Sequence, residues 1–331
     1  MTEVIDHAAD AGIATLSAVL DAGELGSYLR PVLPVEWGAV REARVHVIKH
    51  YPGKRCTASI RLWTTNGRHD LIGKVYARDR PDVYQAMDAL SKAGFGPDDP
   101  FSIPQPLVFV PALRLLLLER AQGATAREVV LAGDERERAL AAQQCAYWLA
   151  RFQAVAPCSG PIFDLSAHLR ATEVRLRGSA GLDGPLAKQA HRLLERLDVA
   201  APALNSRAVC ASHGSYSPSH VILGPHRTVA IDWDGYGAAD PARDVARFIV
   251  ALKRLALGRL GSIRALDAVA DVFAQAYVAV GRPDVAARLP GYEAAICLQI
   301  ASNMARGGRP HWPMKVETML DEGLRLVQIQ D

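Results

Sequence analysis

Apolar and polar positions alternate along the first third of the chain and then give way to a helical period. Ala43-Arg44-Val45-His46-Val47-Ile48 alternates as a strand does, and residues 57–65 read as the returning strand. Between them Tyr51-Pro52-Gly53-Lys54-Arg55 is a turn rich in proline, glycine and bases. Asn66-Gly67 is a hairpin signal, and residues 70–76 make a third strand. A helix is expected over 83–93, then two more strands over 108–110 and 113–118, split by Pro111. Ahead of them residues 11–20 predict a helix, with Ile13, Leu16 and Leu20 on one stripe. The order β-β-β-α-β-β implies one small antiparallel sheet with a helix packed on it.

Beyond Glu119 the pattern is helical over 125–155 and 186–197, with Trp148, Tyr147 and Phe152 placed for the core. A short strand-like stretch over 209–232 follows, and helices are expected over 242–257, 263–280, 292–304 and 316–326. The expected division is an N-lobe of residues 1–120 and a helical C-lobe of 121–331, the latter holding a hairpin over 209–234. There is no internal repeat.

Composition narrows the class. A chain of 331 residues is long enough for two lobes. Half of it is apolar and 22% charged, as in soluble globular proteins. A net charge of +3 is too balanced for a polybasic nucleic-acid binder. The apolar run Leu115-Leu116-Leu117-Leu118 stops at Glu119-Arg120, far short of a membrane span. Met1 to Asp10 carries acids and no basic stretch of a secretory signal. The five cysteines are scattered, without a CxxC pair, and read as reduced thiols. The expectation is a cytoplasmic protein with neither nucleic acid nor membrane as partner.

The chemistry concentrates in His213-Gly214-Ser215-Tyr216-Ser217-Pro218-Ser219-His220 and in Val229-Ala230-Ile231-Asp232-Trp233-Asp234. A tight turn at 224–227 makes these the arms of a hairpin whose polar outer ends point to one side. A carboxylate closing an apolar strand, as Asp232 does, needs a cation or hydrogen-bond donors. Both remain open: a metal ligand, or an acceptor for a turn.

Here the sequence resembles a family. His213-Gly214-x, then His220, then Ile231-Asp232-Trp233-Asp234, then Asp240-Pro241-x-x-Asp244 look like the aminoglycoside phosphotransferase and choline kinase-like superfamily. Upstream, Tyr51-Pro52-Gly53-Lys54-Arg55-Cys56 looks like its phosphate-side hairpin, Gly73-Lys74-Val75-Tyr76 like the strand of the ATP-binding lysine, and Leu117-Leu118-Glu119-Arg120 like the hinge. The resemblance covers roughly residues 40–250 in order. It implies an α+β, protein-kinase-like fold of two lobes with a cleft between them, and ATP and Mg²⁺ as cofactors. It further implies Lys74 on the α/β phosphates, Gly53, Lys54 and Arg55 over the phosphates, Glu119 in the hinge and Asp232 on the metal. Asp234 would be a second ligand or a brace, and Asp244 a brace of the catalytic loop. The acid that pairs with Lys74 stays open, the helix over 83–93 offering Gln85 and Asp88.

The departures fall on the acceptor side. In the family's H-x-D-x-x-x-x-N, the Asp orients the acceptor hydroxyl and the Asn binds metal. Ser215 stands at the Asp position and His220 at the Asn position. A serine hydroxyl is not a carboxylate base, and imidazole is a poorer Mg²⁺ ligand than an oxygen. Three readings stand: transfer with a substitute base at Asp234 or His220; a pseudokinase binding nucleotide, peptide or protein partner; or a serine introduced by engineering. The acceptor would be a hydroxyl of a small molecule or peptide, in a specialised-metabolism setting that the resemblance implies.

Three secondary features complete the reading. Asp240-Pro241 reads as an N-cap with proline at the first helical position. Arg243, Arg247, Lys253, Arg254 and Arg259 read as a solvated basic face in preference to an anion site. Residues 306–312 read as a linker between helices.

Overall fold

The computed structural model describes residues 10–178, 184–204, 209–307 and 312–328. The chain divides into two compact units, Met1–Gln122 and Gly123–Asp331.

In the first unit the strands β1 (Val40–Tyr51), β2 (Arg55–Thr64), β3 (Gly67–Tyr76), β5 (Pro106–Val110) and β6 (Leu115–Glu119) form an antiparallel sheet in the order β1-β2-β3-β6-β5. The helix α3 (Pro81–Lys92) and a two-residue strand β4 (Phe101–Ser102) lie between β3 and β5. Alternation in β2 buries Cys56, Ala58, Ile60 and Leu62 and turns Thr57, Ser59, Arg61 and Trp63 to the other face. The buried face joins Leu71 and Val75 of β3 and Leu115 and Leu117 of β6. Ile13, Leu16, Val19, Leu25 and Leu29 complete that core, so the N-terminal helices cover one side of the sheet. They are two, α1 (Leu16–Leu20) and α2 (Ala22–Leu29), where the sequence predicts one helix over 11–20. The break falls at Asp21, whose carboxylate accepts from the Glu24 N–H and starts α2 afresh.

The second unit is mostly helical: α4 (Ala126–Ala132), α5 (Glu135–Val155), α6 (Leu165–Arg177), α7 (Gly184–Leu204), α8 (Ala242–Arg259), α9 (Asp267–Val280), α10 (Leu289–Gly307) and α11 (Trp312–Gln328). The single helical stretch expected over 125–155 is divided at Gly133-Asp134 because each half has its own capping box, Thr125 with Glu128 and Asp134 with Glu137. α6 was not predicted; Thr172 interrupts its stripe of Leu165, Leu169 and Leu176. Two small β elements complete the unit. β7 (Ala124–Thr125), β9 (Val221–Leu223) and β10 (Thr228–Ala230) pair antiparallel, as do β8 (Cys210–Ser212) and β11 (Gly237–Ala239). The linker expected at 306–312 is shorter, since α10 runs to Gly307 and α11 starts at Trp312; residues 308–311 lie outside the described residues, as do 1–9. No helix among the described residues is long and apolar enough to cross a membrane.

The solvated basic face expected on α8 needs correction. Lys253 is buried, its ammonium 2.6 Å from Glu322 and 3.2 Å from Glu293. Arg264 and Arg325 also reach the Glu322 carboxylate, so α8, α10 and α11 meet around one charged knot. Burial pushes the Glu322 carboxyl up, but the hydrogen bonds from Arg325 and Lys253 and the charges of Lys253 and Arg264 outweigh it and hold it at about 2. Its folded pKa therefore lies below its ordinary value of 4.5, and its contribution to stability is present above that value. The contribution is lost as pH falls from 4.5 to about 2, which acid-melting curves of wild type and Glu322→Gln read directly. At neutral pH Glu322→Ala leaves buried Lys253 with Glu293 alone and takes the shared carboxylate from Arg264 and Arg325, an expected cost of about 3 kcal/mol in denaturant unfolding.

Candidate active site

An aromatic block supports the site. On α5, Trp148 and Phe152 are fully buried and stack with ring centroids 5.2 Å apart. Trp148 lies 5.6 Å from Tyr216 and 5.8 Å from Trp233, and Phe152 lies 5.4 Å from Trp233. The Tyr216 hydroxyl donates to the Cys145 carbonyl (2.7 Å) and the Trp233 indole to the Ala230 carbonyl (3.0 Å). Tyr216 and Trp233 are the immediate neighbours of Ser215 and Asp232, so their burial fixes both segments at once.

Asp244 binds the loop from beneath. It is completely buried, and its carboxylate accepts from the His213 N–H (2.7 Å) and the Gly214 N–H (3.1 Å). Gly214 has φ +77, and a Cβ there would lie 2.1 Å from the Gly235 carbonyl oxygen. Only glycine permits that crossing of the two backbones. Asp240, expected as the N-cap, lies one residue before it: Pro241 is the cap and helix α8 starts at Ala242, whose N–H donates to the Asp240 carboxylate (2.7 Å), and Arg288 pairs with its other oxygen at 2.8 Å.

His213 is buried within this frame. Its Nε2 lies 2.9 Å from the Ile231 carbonyl and so carries the proton, leaving Nδ1 to accept from the Ser215 hydroxyl at 3.2 Å, a tautomer assigned from these bonds. Burial, with the nearby His220 charge, lowers its pKa to about 4 against the pull of Asp244 and Asp232. A neutral imidazole that orients Ser215 is the result.

His220 and Asp232 meet at the outer end of the hairpin. β9 and β10 pair Val221 with Ala230, and the Ile231 N–H donates to the His220 carbonyl (2.8 Å). Asp232 is one of two described non-glycine residues at positive φ (φ 70, ψ 64), a conformation that Asp tolerates better than most. His220 Nδ1 donates to the Ser215 carbonyl (2.8 Å), and its Nε2 lies 3.5 Å from Asp232 Oδ2: the two form an ion pair when the ring is protonated, and Nε2 carries a lone pair when it is neutral. Two acceptor atoms at that spacing, both partly exposed, can share one cation at ordinary ligand distances of about 2.1 Å. The donor set fits a divalent ion that takes its remaining ligands from phosphate and water. Among the described residues no cluster of three or more His, Cys, Asp or Glu could hold a metal by itself. Asp234 follows on the same turn, in the 3-10 segment Trp233–Gly235.

The sheet unit places the other predicted residues. Lys74 is buried and pairs with Thr57 and Leu116, which puts it on the sheet face opposite the α1–α2 core. Asp88 of α3 pairs with Lys92 at 2.6 Å on the surface, and Gln85 is exposed. In the 51–55 turn Gly53 takes φ +65 and its N–H donates to Asp10 (2.9 Å), while the Lys54 N–H donates to the Tyr51 carbonyl (3.0 Å). Those two N–H groups are engaged internally, and the turn offers the cations of Lys54 and Arg55 instead. Glu119 ends β6, where its carboxylate accepts from the Gln105 N–H (3.1 Å).

Sequence reading missed a groove of about 450 Å³ on the open sheet face, lined by Arg44, His46, Ser59, Arg61 and Arg120 among others. Its signal was present in the alternation of β1 and β2, which puts these polar side chains on the Lys74 face.

The profile of the phosphotransferase enzyme family matches residues 57–288. The chain belongs to that family. Solved structures similar to this chain include a thermostable mutant of aminoglycoside phosphotransferase APH(4)-Ia in ternary complex with AMP-PNP and hygromycin B. That protein is 16% identical, covers 88% of this chain and 95% of its own, and has a TM-score of 0.60. Choline kinase from Cryptosporidium parvum Iowa II is 9% identical over 93% and 96% of the two chains, with a TM-score of 0.64. A choline/ethanolamine kinase family protein from Mesorhizobium loti is 16% identical over 81% and 85%, with a TM-score of 0.56. Among curated proteins none matches. The neighbours establish the kinase-like fold that the motifs implied.

Within this site the Asp244 brace is the point of greatest leverage. Asp244→Ala orphans two buried N–H groups, each worth about 1–3 kcal/mol. The expected outcome is a lowered denaturation midpoint, together with altered backbone amide shifts at Gly214 and Gly235.

Proposed function

We propose that the protein binds ATP with Mg²⁺ and transfers phosphate to a hydroxyl of a small molecule or peptide. The observation that carries this reading is the placement of the Asp232 carboxylate and the His220 imidazole 3.5 Å apart beside Ser215 on a loop braced by Asp244. A phosphoryl group in transfer is anionic, and its catalysis is mainly positioning and charge neutralisation. Lys74 would supply a fixed positive charge to the phosphates, and Arg44, Arg61 and Arg120 line the groove on the same sheet face. The bound ion would neutralise charge on the phosphate oxygens, held by the Asp232 carboxylate and the His220 imidazole. His213, neutral and buried, orients the Ser215 hydroxyl and takes no proton itself.

Ser215 is the weak point of catalysis. Its hydroxyl already donates to His213, so it offers an acceptor hydroxyl only a neutral oxygen. Lack of a carboxylate base there costs about 10²–10⁴ in rate. A second reading, a pseudokinase that binds nucleotide and a peptide or protein partner without transfer, is favoured by this one substitution.

Ser215→Asp separates the two. Restored base function is expected to raise ATP turnover with hydroxyl acceptors by about 10²-fold or more. Measurable acceptor-dependent turnover in the wild type supports slow transfer. Turnover only in Ser215→Asp supports the binding role. Turnover in neither, with folded protein, contradicts the phosphotransfer reading.

A further inference from the structure

α8 sets Arg243, Arg247 and Arg254 at spacings of four and seven residues, one stripe of the helix. At its start the Arg243 guanidinium donates to Ser212 Oγ (3.0 Å) and lies 4.0 Å over the Phe163 ring, next to the catalytic loop. Further along, a cavity of about 500 Å³ opens, lined by Arg127, Arg254, Arg259 and Lys315 and by Ser217 and Ser219. No carboxylate is among its described lining residues. Its volume lies within the range of small-molecule sites, about 300–1,000 Å³. Ser217 and Ser219 belong to the segment joining Ser215 to His220, so an occupant touches the catalytic loop itself.

Four cations around one concavity attract an anion and repel an amine. The excess positive charge extends along the stripe: burial, then Arg243, then Arg254 lower the Arg247 guanidinium to about 10, against Asp244. Arg247 also donates to Gln299 (3.2 Å), a neutral partner.

We propose that this cavity binds an anionic small molecule carrying phosphate or carboxylate groups, gripped by Arg127, Arg254, Arg259 and Lys315. The two serines add hydroxyl donors that suit oxyanions and fix orientation. Given the phosphotransferase function, that ligand is the acceptor, and this step alone rests on the functional reading. Choline and amine-bearing ligands, which the kinase-like fold also serves, would meet four like charges here.

Calorimetry on the full chain at low salt, with inorganic pyrophosphate, citrate and spermidine as probes, tests the binding. Pyrophosphate or citrate is expected to bind wild type, and the one that binds tighter names the anion class. Spermidine is expected not to bind. Arg254→Ala with Lys315→Ala should weaken anion binding at least about tenfold, and added salt should weaken it further. Arg259→Glu, at an exposed position, is a second variant with the same expected direction. Lys74→Ala separates this cavity from the nucleotide side and should leave anion affinity unchanged.

Absence of anion binding in wild type overturns the proposal. So does unchanged affinity in both cavity variants with melting temperatures intact, loss in Lys74→Ala instead, or preference for spermidine. Mg²⁺-ATP titration of the same variants reports the nucleotide side separately. Its failure with anion binding intact contradicts the functional reading and leaves the cavity standing.

Discussion

Asp244 is completely buried and accepts two backbone N–H groups, and the geometry of the site follows from that arrangement. A buried carboxylate satisfied in this way fixes the positions of His213 and Gly214 to within a hydrogen bond. Gly214 then approaches Gly235 so closely that no side chain fits between them. That contact pins the turn after β10, and the chain enters it through the left-handed conformation at Asp232. Strain at a residue of this kind persists only where surrounding structure over-determines it. Here the aromatic block of Trp148, Phe152, Tyr216 and Trp233 does so. The Asp232 carboxylate is thereby held beside His220 on a rigid support, as charge-neutralising chemistry requires.

Charge is distributed unevenly between the two sides of the chemistry. On the sheet unit, Arg44, Arg61 and Arg120 line a groove on the face that carries Lys74, and the opposite face is an apolar core under α1 and α2. On the helical unit, the loop presents acceptors at Asp232 and His220, while a stripe of arginines runs from the same loop along α8.

Much of this was legible in the sequence because period and turn chemistry carried it. The alternation of β2 and the Asn66-Gly67 signal placed the first hairpins, and the apolar spacing of 242–257 placed α8. The hairpin over 209–234 was legible too, since Gly224-Pro225 lies between two apolar triplets. What failed was information that lies in tertiary partners. Lys253 looks like any surface lysine until Glu293 and Glu322 arrive from α10 and α11, 40 and 69 residues away. The Gly53 N–H looked available for phosphate because nothing local shows that Asp10 reaches it across the fold. Nor could the protonation of His213 be read, because burial and the carbonyl of Ile231 decide it.

The most direct measurement is calorimetric titration of ATP, with and without Mg²⁺, into wild type and Asp232→Ala. With Asp232 and His220 as the cation-holding pair, Mg²⁺ tightens ATP binding to wild type by about tenfold or more, and that tightening vanishes in Asp232→Ala. Equal Mg²⁺ dependence in the two proteins would contradict the assignment of Asp232 and, with it, the phosphotransferase geometry built around it.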